Sequence, residues 1–365
     1  MGQTTLAVPA APRRVSAGII GLAACAGLVL AAVFASLAIG PVVIPVDHVA
    51  RILAGTVTGQ VATGVSLRES VIVLDIRLPR TVLGLMVGGA IAMAGAVMQG
   101  IFRNPLADPA LIGISAGAGL AAVIWIVLGA GLAAGLAAAL PAAVAALGLP
   151  VMAFVGALAA AMALHLIATQ DGRTSVATLL FAGIAIGALA SAGTGVMVFL
   201  ASDQQLRDFT FWTFGSLGGA TWTKVWAMLP FLALMGAICG PLGRALDALA
   251  LGEAAAFHVG IDVETTKRLA IAGVAAGAGA AVAVAGVIGF IGLVVPHLVR
   301  MTLGPGHRVL IPASALLGGA LLLGADVVAR TVVSPAELPL GVVTAAIGAP
   351  FFIGLLVRRR AALFG

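Results

Sequence analysis

Apolar runs of about twenty residues, cut by single charges, prolines and glycines, dominate the chain. A helix needs ~20 apolar residues to cross a hydrocarbon core ~30 Å thick. Ten segments meet or approach that length: 15–39, 81–101, 111–131, 142–167, 177–199, 223–243, 267–286, 288–302, 309–329 and 339–357. The eighth is short, so it reads as a half-length or tilted helix buried against its neighbours, with Gly286 and Gly289 at the turn before it. The pattern predicts an all-α integral membrane protein with about ten transmembrane helices in a single domain, 1–365. Arg13 and Arg14 precede the first run. That run is longer than the apolar stretch of a secretory leader, so it reads as an uncleaved helix behind a cytoplasmic tail, 1–14.

Two stretches between the runs are long. The first, about 40–80, is too polar around 58–70 to lie in a membrane and is expected outside. The second, about 244–266, carries Leu246, Leu249, Leu251 and Ala255 at helical spacing and then Gly260. It predicts a short surface helix stopped at a glycine.

Composition agrees with a lipid solvent: 62% of residues are hydrophobic and 9% charged, against about 25% charged in soluble domains. The net charge of +6 does not indicate nucleic acid, because the basic residues stand singly between apolar runs. They read as topology signals, since cytoplasmic loops collect Lys and Arg. With both termini inside, twelve fall on the cytoplasmic side: Arg13, Arg14, Arg103, Arg173, Arg244, Lys267, Arg268, Arg300, Arg308 and Arg358 to Arg360. Seven fall outside: Arg51, Arg68, Arg77, Arg80, Arg207, Lys224 and Arg330. Those seven are numerous enough to need a reason of their own.

Small residues at spacing four, such as Gly84 with Gly88 and Gly183 with Gly187, mark close helix crossings rather than an activity. Cys25 and Cys239 sit in apolar runs and read as unpaired, buried small hydrophobes. Candidate catalytic chemistry is missing. There is no P-loop, so this chain has no ATP site of that kind. His48, His165, His258, His297 and His307 show no metal-ligand spacing, and His165 and His297 read as packed or interfacial. The chain has no tyrosine, which does not fit an outer-membrane barrel with aromatic girdles. Acids within the spans are nearly absent, apart from Asp326, placed to pair with Arg330 one turn on. An ion-coupled secondary transporter normally needs such acids or half-helix ion sites. Their scarcity points to energy supplied by a partner.

The stretch RLPRTVLGLMVGGAIAMAGAVMQGIFRNPLADPALIGISAGAG (77–119) resembles the signature block of the FecCD family, the permeases of type II ABC importers. GVIGFIGLVVPHLVRMTLGPGHRVLIP (286–312), GADVVAR (324–330) and ELPLGVVTAAIGAPFFIGLL (337–356) continue the resemblance in order, from about residue 15 to the end. It implies the type II importer permease fold, a homodimer with the path between the copies, two ATP-binding cassette subunits and a periplasmic substrate-binding protein. Localisation is then the bacterial inner membrane. ATP and Mg are bound by the partner ATPase, and this chain itself holds no cofactor, metal or catalytic residue.

The resemblance also implies residue roles. Arg77, Arg80 and Arg330 match arginines that form salt bridges with glutamates of the binding protein, and exposed guanidiniums suit such a task. Asn104 and Leu106 match a cytoplasmic gate, and Ser175 and Val176 align with a second gate. Leu251, Gly252, Glu253, Ala254, Ala255 and Gly260 match the coupling helix that docks into the ATPase. The run DQQLRDFTFWTFGSLGGATW (203–222) looks like the matching segment of haem importers. That places haem ahead of ferric siderophore, and siderophore ahead of cobalamin, as the cargo.

Overall fold

The computed structural model describes residues 13–59, 64–137 and 147–364. Each of the ten apolar runs corresponds to a helix. Residues 142–146 of the fourth run, and all but the last two residues of the expected tail 1–14, lie outside the described residues. In chain order the helices are α1 (Arg13–Ala38), α2 (Val46–Thr58), α3 (Leu67–Ile101), α4 (Ile114–Ala137) and α5 (Gly148–Ala168). A hairpin of β1 (Thr169–Gln170) and β2 (Arg173–Thr174) leads into α6 (Val176–Leu200) and α7 (Asp203–Thr213). Then come α8 (Trp222–Cys239), α9 (Gly243–Ala250), α10 (Glu253–His258), α11 (Val263–Ala285), α12 (Ile291–Leu303), α13 (His307–Ala329) and α14 (Leu340–Phe364). Among the described residues, seven helices are long and apolar enough to cross a membrane, and α4, α12 and α14 carry shorter apolar segments.

α3 and α11 are the most deeply buried helices, and the others pack around them. Small residues make this possible. At the crossing of α3 with α13, a Cβ on Gly88 would lie 2.4 Å from Gly318 O. At the crossing of α3 with α12, a Cβ on Gly95 would lie 1.7 Å from Gly292 O. No larger residue fits at either place, and helices in lipid associate through such close approach. The expected glycine contacts hold at Gly84 and Gly88, whereas Gly187 has nothing within 4 Å of its would-be Cβ.

The expected outer loop 40–80 is corrected. It contains α2, and α3 begins at Leu67 rather than near residue 81. Ser66 and Glu69 start α3 with reciprocal side-chain to backbone bonds, a capping box. A π turn over Ile72–Arg77 follows, in which Leu78 N donates five residues back to Val73 O. Pro79 explains the turn: it has no N–H to give, so the regular ladder cannot continue unaltered there. Arg77 and Arg80 therefore sit inside a helix and not on a loop.

The half-length eighth segment is as expected. α12 has 13 residues, which at ~1.5 Å per residue is ~20 Å, short of a full crossing. Cys25 and Cys239 are both buried and unpaired. His297 is buried with its ring edge-on to Phe351, so it packs. His165, near the end of α5, faces Thr169 Oγ1 at 3.3 Å.

Candidate functional site

Chemistry-bearing residues gather at the two ends of the bundle. At one end, α1 finishes beside the start of α3 and the finish of α13. Arg80 lies between two carboxylates. Its Nε and Nη2 donate to Asp326 Oδ1 at 3.1 and 2.8 Å. Its Nη1 and Nη2 donate to Glu337 Oε1 and Oε2 at 2.8 and 2.9 Å. This is bidentate guanidinium recognition of an acid. Arg330 Nη2 donates to Ser36 O at 2.6 Å, and its Nε lies 3.5 Å from Asp326 Oδ2, the pairing expected one turn apart. Arg77 Nη1 donates to Leu37 O and Ala38 O at 2.6 and 3.0 Å, and Nη2 to Val42 O. It thus supplies donors to the last carbonyls of α1, which have no partner within the helix.

The expected exposure of these guanidiniums is therefore corrected. Arg77, Arg80 and Arg330 are 4%, 8% and 3% exposed. A charge taken out of water needs a partner, and Asp326, Glu337 and the end of α1 provide them. Within this cluster, three arginines face two acids, an excess of one positive charge that the other acids of the same segments, Asp47, Glu69, Asp75, Asp203 and Asp208, offset once the remaining bases are counted. Glu337 lies on the turn between α13 and α14, and the bonds from Arg80 hold its carboxyl below the usual value of 4.5 against the opposing effect of partial burial.

The opposite end carries the other predicted residues. Asn104 is exposed, and its Oδ1 accepts from Leu106 N at 3.0 Å, an Asx turn that presents Leu106 at the loop tip, 38% exposed. Asp108 repeats the device: its side chain accepts from Ala110 N at 2.8 Å and starts a short 3-10 turn, Pro109–Ile112. Burial raises the Asp108 carboxyl pKa above its ordinary value. Ser175 is exposed and caps α6 by accepting from Thr178 N at 3.2 Å, with Val176 half-buried behind it.

The expected single helix over 244–266 is corrected to two. α9 buries Leu246 and Leu249, the chain breaks at Leu251, and Gly252 turns with φ 112° into α10. Within α10, Ala256 is buried, Glu253 and Ala255 are half-buried, and Ala254 is exposed. Gly260 ends it with φ 81°, Gly260 N donating to Phe257 O and Ile261 N to Ala256 O, both at 3.0 Å. That pair of bonds is the Schellman motif, which needs a left-handed residue. Leu251, Phe257 and Val259 are left 80%, 72% and 70% exposed. Three large apolar side chains are thus exposed close together in sequence beside a polar loop, which water disfavours.

Sequence reading missed the β1–β2 hairpin and what holds it. The hairpin turns at Asp171 and Gly172, φ 50° and 77°, the two-residue turn that Asp-Gly favours. Lys267, on the first turns of α11, is 1% exposed, and its Nζ donates to Thr174 O at 2.7 Å. It also meets Glu253 Oε1 at 2.9 Å and Glu264 Oε1 at 3.2 Å. Glu264 Oε2 accepts from Thr174 N at 2.7 Å. The Asp-Gly signal was present in the sequence. The pairing of Lys267 with Thr174, 93 positions away, was not.

The model of the FecCD transport family matches residues 28–358. The haemin transport system permease protein HmuU of Yersinia pestis is 46% identical over 288 residues, 79% of this chain and 83% of that protein. The cobalamin import system permease protein BtuC of Halobacterium salinarum is 45% identical over 293 residues, 80% of this chain and 75% of that protein. A solved metal-chelate type ABC transporter in an inward-facing conformation superposes with a TM-score of 0.76 at 28% identity, covering 93% of this chain and 99% of its own. With the motifs, the ten apolar helices and the family match in agreement, this chain belongs to the FecCD transport family and has the fold of a type II ABC importer permease.

Proposed function

We propose that two copies of this chain form the membrane path of an ATP-driven importer that carries haem into a bacterial cell by alternating access. The observation that carries the reading is the exposure of Leu251, Phe257 and Val259 on the α9–α10 elbow, whose second helix is bounded by two glycines with positive φ, Gly252 and Gly260. Water disfavours such side chains uncovered, and a partner ATPase that receives α10 in a cleft covers them. In this reading Leu251, Gly252, Glu253, Ala254, Ala255 and Gly260 form the coupling segment on the cytoplasmic side, with both termini on that side. ATP and Mg are bound by that partner, which performs the hydrolysis.

Asn104 and Leu106 on one loop, and Ser175 and Val176 on another, act as the cytoplasmic gates. A substrate-binding protein docks at the opposite end, where the locally positive cluster of Arg77, Arg80 and Arg330 with Asp326 and Glu337 attracts acidic groups. Because the three guanidiniums are committed within the chain, direct contact requires an incoming carboxylate to exchange with Glu337, the more exposed of the acids on Arg80.

Haem is preferred on the 203–222 segment, whose helix α7 leaves Phe211 and the following Phe214 exposed. The relatives named for haemin and for cobalamin are nearly equal in identity, so cobalamin is the second reading and ferric siderophore the third. Reconstitution in liposomes with the ATPase and the binding protein tests all of this. Uptake of haem on ATP addition is expected. Uptake of cobalamin or a ferric siderophore instead would keep the class and replace the cargo, and uptake with no ATPase present would overturn the mechanism in favour of ion coupling.

A further inference from the structure

We propose that Lys267 is the strut that passes movement of the coupling helix α10 to the gate at the start of α6. The proposal rests on the reading of α10 as the ATPase-docking segment and of Ser175 and Val176 as a gate, and it adds the physical link between them.

An ammonium has three N–H groups and accepts nothing. Lys267 Nζ has three acceptors around it: Glu253 Oε1 on α10, Glu264 Oε1 on its own helix, and Thr174 O at the end of β2. Three elements, α10, α11 and the distant β2, whose Thr174 lies 93 positions away, thus converge on one buried nitrogen. At 1% exposure the group is out of water, where paired charges attract more strongly and an unpaired one is costly. A displacement of Glu253 therefore takes the ammonium with it or leaves it short of a partner.

Thr174 is held at both of its backbone polar groups, its carbonyl by Lys267 and its N–H by Glu264 Oε2. Arg268 Nη2 adds a bond to Gly172 O at 2.9 Å in the hairpin turn. The hairpin is therefore fixed to the first turns of α11. Ser175, the residue after Thr174, is the N-cap of α6. One peptide bond separates the anchored residue from the proposed gate, so the anchor cannot shift without moving the cap. An open cleft of about 720 Å³, lined by Arg173, Glu253, Phe257 and residues 260–264, lies along the coupling segment and leaves α10 room to shift.

The test uses the assembled complex of this chain with its ATPase, with Cys25 and Cys239 replaced by alanine and a spin label at Gln170→Cys in the hairpin of each copy. The distance between the two labels is read without nucleotide and with ATP and Mg. In the chain with Lys267 intact the distance is expected to change with nucleotide. Lys267→Met is expected to keep co-purification with the ATPase and hydrolysis within about twofold while the label distance stops following nucleotide; Lys267→Arg, which keeps the charge and donors, restores the response. A Lys267→Met complex with the full nucleotide response overturns the strut. If that variant does not assemble, Glu253→Ala decides, because it cuts the α10 arm and leaves the hairpin tied to α11: a response lost while co-purification and hydrolysis stay within about twofold supports the strut, and a full response, or a response lost together with co-purification, overturns it. A chain with Lys267 intact that does not bind the ATPase, or whose labels ignore nucleotide, overturns the coupling and gate assignments themselves, and the strut with them.

Discussion

Arg80 shows how burial changes the meaning of a residue. An arginine near a membrane surface invites the reading of a free docking group, yet this one spends its donors on Asp326 and Glu337. Charge reversal at Arg80 would bring three carboxylates together, and breaking a buried pair costs about 3–5 kcal/mol. Arg80→Glu is expected to lower the melting temperature in detergent strongly, so a docking defect in it would say little about docking. Glu337→Gln is the sharper variant, because it frees one edge of the guanidinium while Asp326 keeps the other. It is expected to lose stability modestly at neutral pH and to strengthen capture of an acidic binding protein, measured by surface binding at low salt. Weaker capture would remove Glu337 from the role of competitor. The pH dependence follows from the lowered Glu337 value. A carboxylate with a depressed folded-state pKa stabilises at pH above its unfolded value, here 4.5, and that contribution is lost as pH falls through the folded value. The gap in melting temperature between the unsubstituted protein and Glu337→Gln is therefore expected to be present at pH 7 and to close as pH falls below the unfolded value and through the lower folded one.

Among elements, the α9–α10 elbow and the α3 crossings carry opposite kinds of prediction. Leu251 and Phe257 touch little within the chain, and surface substitutions away from structural features usually change stability by under ~0.5 kcal/mol. Leu251→Asp with Phe257→Asp is expected to leave the melting temperature within a few degrees and to abolish co-purification with the ATPase. Intact co-purification would remove the elbow from the interface. Gly88 has no such freedom, since any side chain meets the Gly318 carbonyl. Gly88→Leu is expected to prevent folding of the bundle, seen as loss of a monodisperse peak in detergent, whereas Gly187→Ala, with open space at that position, leaves the peak of the single chain intact. The sequence pattern alone ranks these two glycines alike, since both sit at spacing four.

For the molecule as a whole, the two ends differ in what joins them to partners. The arginine end is internally tied by charge, with α1, α3, α13 and the turn before α14 meeting at Arg80, Asp326 and Arg330. The opposite end is built from short pieces, the 104–112 loop, the hairpin and the elbow, each stopped by an Asx turn, an Asp-Gly turn or a glycine with positive φ. Long helices α3, α6, α11 and α13 connect the two. A tied end suits a platform, and an end made of short elements held by a few polar bonds suits moving parts, because such segments open at lower cost than a packed core.

The ten apolar runs determined the class, the places of the ten apolar helices and the half-length of α12, because lipid admits only helices or closed barrels and their lengths follow from its thickness. The long ordered motifs carried the family, and single residues such as Gly260 were legible because a helix stop has a local cause. Glu69, three residues after Ser66, and Asp171 before Gly172 were legible as well, as a cap and a turn. The partners of Arg80 and Lys267 were not. Asp326 lies 246 positions from Arg80 and Thr174 lies 93 from Lys267, and no local period relates them. Whether an arginine faces water or a carboxylate, and whether a lysine is a topology signal or a buried link among three elements, was decided only when packing brought distant segments together, since the energy of a charge depends on what surrounds it rather than on its neighbours in the chain.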